Sequence, residues 1–141
     1  MSATLFHFSF AVSDLDQARK FYGEILQCPE GRRLKGRADF NFFGHHIVAH
    51  LEPDEVIGDK GRKTGSAQTT PLRHFGVVMT LDDFRKTARR AEQMRAIWIN
   101  KPETYQRGTV REQMLMTLSD GCGNAVEFKG LANITDVYAV E

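Results

Sequence analysis

The chain has 141 residues, 41% of them hydrophobic and 26% charged, and its 19 Lys and Arg against 18 Asp and Glu leave a formal charge of +1. Such a length sets an expectation of one domain, and such a composition can bury a core, unlike that of a disordered chain. Near-neutral charge, the lack of a basic stripe interleaved with aromatics, and apolar runs at 5–12 and 75–79, far short of the roughly 20 residues of a membrane span, argue against nucleic-acid and membrane partners.

The first ten residues carry no basic segment ahead of an apolar one, so no secretory signal is expected. Two cysteines, Cys28 and Cys122, are too few for a disulfide framework. A reducing, cytoplasmic setting follows as the expectation.

Residues 5–12 form a short aromatic and β-branched run, which reads as a strand. Ser13-Asp14-Leu15-Asp16 then matches the Ser/Thr-x-x-acid signature of a helix start. Leu15, Ala18, Tyr22, Ile25 and Leu26, with Phe21 beside them, recur at helical spacing and predict a helix over about 14–27. Strands are expected at 40–43 and 46–51, with a weaker start at 31–34. Residues 53–73 hold Gly58, Gly61, Gly65 and Pro71 and few apolar side chains, which marks a connecting loop. Its glycines lack the Gly-Lys-Ser/Thr ending of a phosphate-binding loop. Its basic group Lys60, Arg62 and Lys63 reads as solvated, with attraction of an anionic substrate as the functional alternative.

The pattern then recurs 67 positions on, with His74 matching His7, Phe75 matching Phe8 and Asp83 matching Asp16. Thr80-Leu81-Asp82-Asp83 repeats the capping signature, and Phe84, Ala88, Ala91 and Met94 carry a second helix. Strands are expected at 96–99, 113–118 and 125–129, the last two joined by the glycine-rich turn Asp120-Gly121-Cys122-Gly123-Asn124. Agreement in residue type, element order and cap points to an internal duplication, a βαβββ unit made twice. The expected fold is α+β: one domain over 1–141, with module one at about 4–52, a linker at 53–73 and module two at about 74–131.

Side chains alternate along a strand, so parity decides which residues share a face. Phe6, Phe8, Phe10 and Val12 lie on one face of the first strand and His7, Ser9 and Ala11 on the other. In the second module His74, Gly76 and Val78 oppose Phe75, Val77 and Met79, and Glu127 opposes Val126 and Phe128. Taken singly, each reads as readily as a polar strand residue. Together, two imidazoles and a carboxylate on matching faces suit a first-row divalent ion, and two histidines with one carboxylate is the ferrous facial-triad set. His50 and His46 share a parity but lie about 13 Å apart along a strand, so only one can reach a given ion. His50 is the better candidate for a fourth ligand or an acid–base group.

These residues resemble the vicinal-oxygen-chelate superfamily, which includes glyoxalase I, extradiol ring-cleavage dioxygenases, fosfomycin-resistance thiol transferases and bleomycin-binding proteins. The resemblance rests on His7 opening the first strand, His74 opening the second module, and the ending Asp120-Gly121-Cys122-Gly123-Asn124-Ala125-Val126-Glu127-Phe128. That ending is similar to the family's Asp-Pro-x-Gly-Asn-x-x-Glu-Phe, with Gly121 where the family usually has proline. The stretches from Gly44 to His50 and from Glu127 to Gly130 look most like small predicted extradiol-type dioxygenases.

The resemblance implies tandem βαβββ modules with curved mixed sheets around a metal-binding cavity, and His7, His74 and Glu127 as metal ligands. It also implies a homodimer and a small-molecule substrate. The favoured reading is an Fe(II) extradiol-type dioxygenase acting on a catechol-like aromatic, with His50 as the acid–base group and Tyr105 assisting; Ni, Zn or Mn are the other candidate ions. A glyoxalase-type isomerase or lyase using Ni or Zn follows if His50 is a ligand. A non-catalytic, bleomycin-resistance-like binder is the third reading, and it has no need of a His, His, Glu set.

Overall fold

Alternating aromatic and small residues make β1 (His7–Val12), whose C-terminal end, Val12, is fully buried. The computed structural model describes residues 4–58, 62–63 and 69–140. After β1 the chain turns into α1 (Leu15–Ala18), which widens into a π-helix over Arg19–Ile25. The cap is Asp14, whose side chain accepts from the Gln17 N–H at 3.1 Å. Ser13, the expected cap, lies one residue outside, since the carboxylate is the stronger acceptor for the first-turn amides.

Three strands follow, β2 (Glu30–Leu34), β3 (Arg37–Phe42) and β4 (His45–Leu51). Phe43 and Gly44 join the last two as a two-residue hairpin with φ of 53° and 92°, the left-handed pair whose twist matches that of the strands. The sheet order is β1-β4-β3-β2, with β1 parallel to β4 and the other pairs antiparallel. Its apolar face carries Phe40, Phe42, Ile47 and Ala49, all buried along with Phe21, Tyr22 and Ile25 of the π-helix. The opposite face is polar, with His7 and Ser9 on β1, His46 and His50 on β4, and Arg37, Asp39 and Asn41 on β3.

The segment read as a plain loop contains regular structure among its described residues. It holds a 3-10 turn at Pro53–Glu55 and the short antiparallel pair β5 (Arg62–Lys63) and β6 (Thr69–Thr70). The side chains of Lys60, Arg62 and Lys63 lie outside the described residues.

The second module repeats the plan. It contains β7 (Phe75–Thr80), α2 (Leu81–Gln93), β8 (Ile97–Tyr105), β9 (Gln113–Ser119) and β10 (Ala125–Leu131), in sheet order β7-β10-β9-β8. Thr80 caps α2 as expected, accepting from the Asp83 N–H at 3.2 Å. Phe84 and Ala91 of the helix are buried, as are Met116, Leu118, Val126 and Phe128 of the sheet. Gly130 permits this approach, because a Cβ there would meet the Phe84 side chain at 2.7 Å. Met116 pairs with Phe128 and so belongs to this packed face. Leu115, Thr117 and Glu127 face the other way. A last 3-10 segment, Ile134–Tyr138, follows the sheet.

By packing, the chain divides into two compact units, residues 1–58 with 120–124 and residues 59–119 with 125–141. The expected tandem βαβββ architecture is therefore present as two four-stranded mixed sheets, neither of them closed.

Candidate metal centre

In the second unit His74 stands immediately before β7, and Glu127 is the third residue of β10. The two meet, with His74 Nε2 at 3.1 Å from Glu127 Oε2 and side chains 26% and 16% exposed. The other ring nitrogen, Nδ1, lies 2.6 Å from the Pro71 carbonyl oxygen. Carbonyl oxygens only accept, so Nδ1 carries a hydrogen; Nε2 faces the Glu127 carboxylate, a contact satisfied either by a hydrogen on Nε2 or by a shared cation in its place. A backbone carbonyl behind the far nitrogen is the usual support of a metal-ligating imidazole. Two neighbouring ligands, each about 2.0–2.2 Å from one ion, are themselves about 3 Å apart at right angles. The pair therefore fits two positions of a divalent cation.

Glu127 is held from both sides of β10. It pairs with Gly76 on β7 and with Thr117 on β9. Gly76 has to be glycine, since a Cβ there would collide with the Glu127 carbonyl oxygen. Tyr105 ends β8, pairs with Gln113, and donates its hydroxyl to Glu103 Oε2 at 3.2 Å. Burial first, then the Glu103 hydrogen bond and the charges of Glu103 and Glu127, raise its phenol above the ordinary value of 10.0. The hydroxyl therefore stays protonated at neutral pH and can only be a donor to a bound anion.

In the first unit His7 lies opposite His46, not His50, in the β1–β4 register. His7 Nδ1 and His46 Nδ1 are 2.9 Å apart, with rings offset and 22° from parallel. His46 Nε2 in turn lies 3.1 Å from Asp39 Oδ2. His50 sits opposite Ala11 and Arg37, four residues further along β4. The register equivalent of Glu127 in this module is Val48. Glu127 pairs with the residue two beyond His74, and Val48 pairs with Ser9, two beyond His7. A cavity of about 290 Å³ in this unit is lined by Asp39, Asn41, His45 and His46 among others.

The turn that ends in β10 packs in the first unit, around a buried carboxylate. Asp120 Oδ1 accepts from the backbone N–H groups of Cys122 (2.8 Å) and Asn124 (3.0 Å). Its Oδ2 accepts from the Tyr22 hydroxyl (2.7 Å) and the Asn124 amide (2.9 Å). Asn124 also donates to the Ala11 carbonyl at 2.9 Å. Gly121 and Gly123 supply the left-handed positions the turn needs, at φ of 76° and 98°. Burial drives the Asp120 carboxyl above its ordinary value, and these four donors oppose the rise. This motif, the most specific in the chain, is thus a structural tie within the first unit.

Of the expected site residues, the structure brings His74 and Glu127 together and gives His7 a different neighbour, His46. Among the described residues no group of three or more His, Cys, Asp or Glu side chains is arranged to hold a metal ion as it stands. Asp39 was missed in the sequence, and His46 was ranked below His50. The alternation Ala38-Asp39-Phe40-Asn41-Phe42 and the two-residue turn carry the missing signal, because together they set Asp39 and Asn41 on the face of His46.

The glyoxalase/bleomycin resistance protein/dioxygenase superfamily is matched over residues 4–128. Among solved structures, a glyoxalase/bleomycin resistance protein/dioxygenase from Alicyclobacillus acidocaldarius is 27% identical, with 96% of each chain covered and a TM-score of 0.75. A genomically encoded fosfomycin resistance protein from Listeria monocytogenes is 13% identical, covering 96% of this chain and 98% of its own, with a TM-score of 0.72. For lactoylglutathione lyase from Agrobacterium tumefaciens the values are 14%, 99%, 98% and 0.64. These last two likenesses are of fold alone. No curated protein sequence matches the chain. Among the described residues no helix is long and apolar enough to cross a membrane. Members of the matched superfamily are mostly metal-dependent enzymes that bind small molecules and typically form dimers. With the match spanning both sheets and their turn, the chain belongs to the glyoxalase/bleomycin resistance protein/dioxygenase superfamily.

Proposed function

We propose that this protein is a metal-dependent enzyme, an Fe(II) extradiol-type dioxygenase opening the ring of a small catechol-like aromatic. The observation that carries the metal is the His74–Glu127 pair, 3.1 Å apart with the far imidazole nitrogen tied to Pro71. His7 is proposed as the third ligand from its matching place at the head of β1, from the same chain or from the second copy in a homodimer. Val48 at the register position of Glu127 favours three protein ligands over four, and hence the ferrous set over the isomerase set. One domain over 1–141 and a cytoplasmic setting, with Cys28 and Cys122 as free thiols, complete the reading.

When bound, the ion supplies Lewis acidity and redox capacity. The residues of the chain hold and orient. His74 and Glu127 bind through Nε2 and a carboxylate oxygen, and the Gly76 contact keeps Glu127 in register. Tyr105 keeps its proton and donates a hydrogen bond to a substrate oxygen, exchanging Glu103 for it. His50, on the polar face of the first sheet, accepts the proton of a substrate hydroxyl.

The test is to purify the protein without added metal, assay its metal content, then reconstitute it anaerobically with Fe(II), Ni(II) or Zn(II) and offer catechols with dioxygen. Bound iron and oxygen uptake are expected. Nickel or zinc without oxygen uptake transfers the assignment to the isomerase or lyase, and ligand binding with no metal at all transfers it to a binder.

A further inference from the structure

The histidines of the two modules are tied through the same atom, Nδ1, but to different partners. For His74 the partner is a main-chain carbonyl, that of Pro71. For His7 it is a second imidazole, and that imidazole ends on a carboxylate. With both rings neutral, each hydrogen in this chain has only one place to be. A carboxylate accepts, so the hydrogen facing Asp39 Oδ2 sits on His46 Nε2. Neutral His46 then has a lone pair at Nδ1. The 2.9 Å contact between the two Nδ1 atoms requires one hydrogen, which must come from His7. His7 is left with its lone pair on Nε2, and the hydroxyl of Ser9 lies 3.4 Å from that atom.

We infer that Asp39 and His46 are positioning residues which lock His7 in the Nδ1–H tautomer and aim its Nε2 lone pair at a divalent cation. This inference rests on the proposed role of His7 as a ligand. A carboxylate behind an imidazole both orients the ring and raises its basicity. Here the effect passes through one further ring. Asp39 is well placed to hold the chain still, with a side chain only 15% exposed against 39% for His46. Its place is set by β-sheet geometry: Asn41 lies opposite His46 in the β3–β4 register, and Asp39 is the diagonal neighbour on the same face. The residue two beyond His46 is Val48. Module one thus has no carboxylate of its own at the Glu127 position, and its single acid on this part of the face stands behind a histidine.

The test uses the metal-free protein with 15N-labelled histidine and long-range 15N–1H correlation spectra. His7 is expected in the Nδ1–H form and His46 in the Nε2–H form. In Asp39→Leu and His46→Leu variants His7 should leave the Nδ1–H form, and affinity for Zn(II) or Fe(II) should fall about 10- to 100-fold, while circular dichroism stays that of the folded protein. His46→Asn, whose side-chain carbonyl can accept from His7 Nδ1, should restore both. A wild-type His7 in the Nε2–H form, or metal affinity unchanged in Asp39→Leu, overturns the inference. If the wild type holds no metal while the tautomers are as expected, the ligand role of His7 fails and the locked tautomer stands.

Discussion

Replacing Tyr22 with Phe removes one hydroxyl from a fully buried position and takes away one of four donors to the Asp120 carboxylate. The lost bond is short, 2.7 Å, and Asp120 itself has no exposed surface, so water cannot substitute without opening the unit. A hydrogen bond to a charged group contributes about 1.5–3 kcal/mol. For a chain of this length that corresponds to a drop in Tm of roughly 5–12 °C. Urea unfolding followed by far-ultraviolet circular dichroism measures the loss as a lower midpoint at unchanged slope. Asp120→Asn completes a double-mutant cycle, in which the pair should couple by at least about 1 kcal/mol. A Tyr22→Phe variant within about 0.5 kcal/mol of the wild type, the ordinary range of surface changes, would refute the claim that this tie holds the turn before β10.

Other outcomes follow from the same contacts. Tyr22 is held well above its ordinary value of 10.0, by burial first and then by the Asp120 carboxylate. The stability it carries is intact below pH 10.0 and lost as pH rises through the folded value. Urea midpoints should therefore hold up to about pH 10 and fall as pH rises beyond it, more steeply in the wild type than in Tyr22→Phe. Gly76→Ala should weaken metal binding and destabilise the second sheet together, because the new methyl drives into the main chain of Glu127; a variant with wild-type affinity and midpoint contradicts that close approach. Burial pushes the Cys28 and Cys122 thiols up to about 11 and about 12. Neither should react with a disulfide reagent near neutral pH until the chain is unfolded, which thiol titration with and without urea measures directly.

Strand and helix placement was legible wherever apolar alternation or helical spacing was strong. It ran out where the strand was polar. The expected strand at 96–99 extends to Tyr105 through Asn100, Lys101 and Pro102, with irregular pairing between Trp98 and Glu103. Proline is tolerated there because β8 is the edge strand of the described sheet and Pro102 falls in the irregular stretch of its pairing with β9. Parity set His74 and Glu127 on matching faces of their strands, and the adjacency of β7 and β10 brings them together. The pairing of His7 with His46 was not legible, because parity places His46 and His50 on the same face and only the parallel register decides which lies opposite His7. Asp39 escaped notice for a related reason, since an acid in a half-polar strand has no distinguishing spacing until the hairpin register is known. The Asp120 motif was legible as a family signature but not as chemistry, because its four donors come from a distant helix and from its own turn.

The central claim is that His74 and Glu127 grip one divalent cation. A crystal structure of the metal-loaded protein, with diffraction recorded on both sides of the metal's absorption edge, tests it most directly. An anomalous peak is expected about 2.0–2.2 Å from both His74 Nε2 and a Glu127 carboxylate oxygen, absent from Glu127→Gln crystals grown alike. A peak elsewhere, or one that persists undiminished in Glu127→Gln, contradicts it.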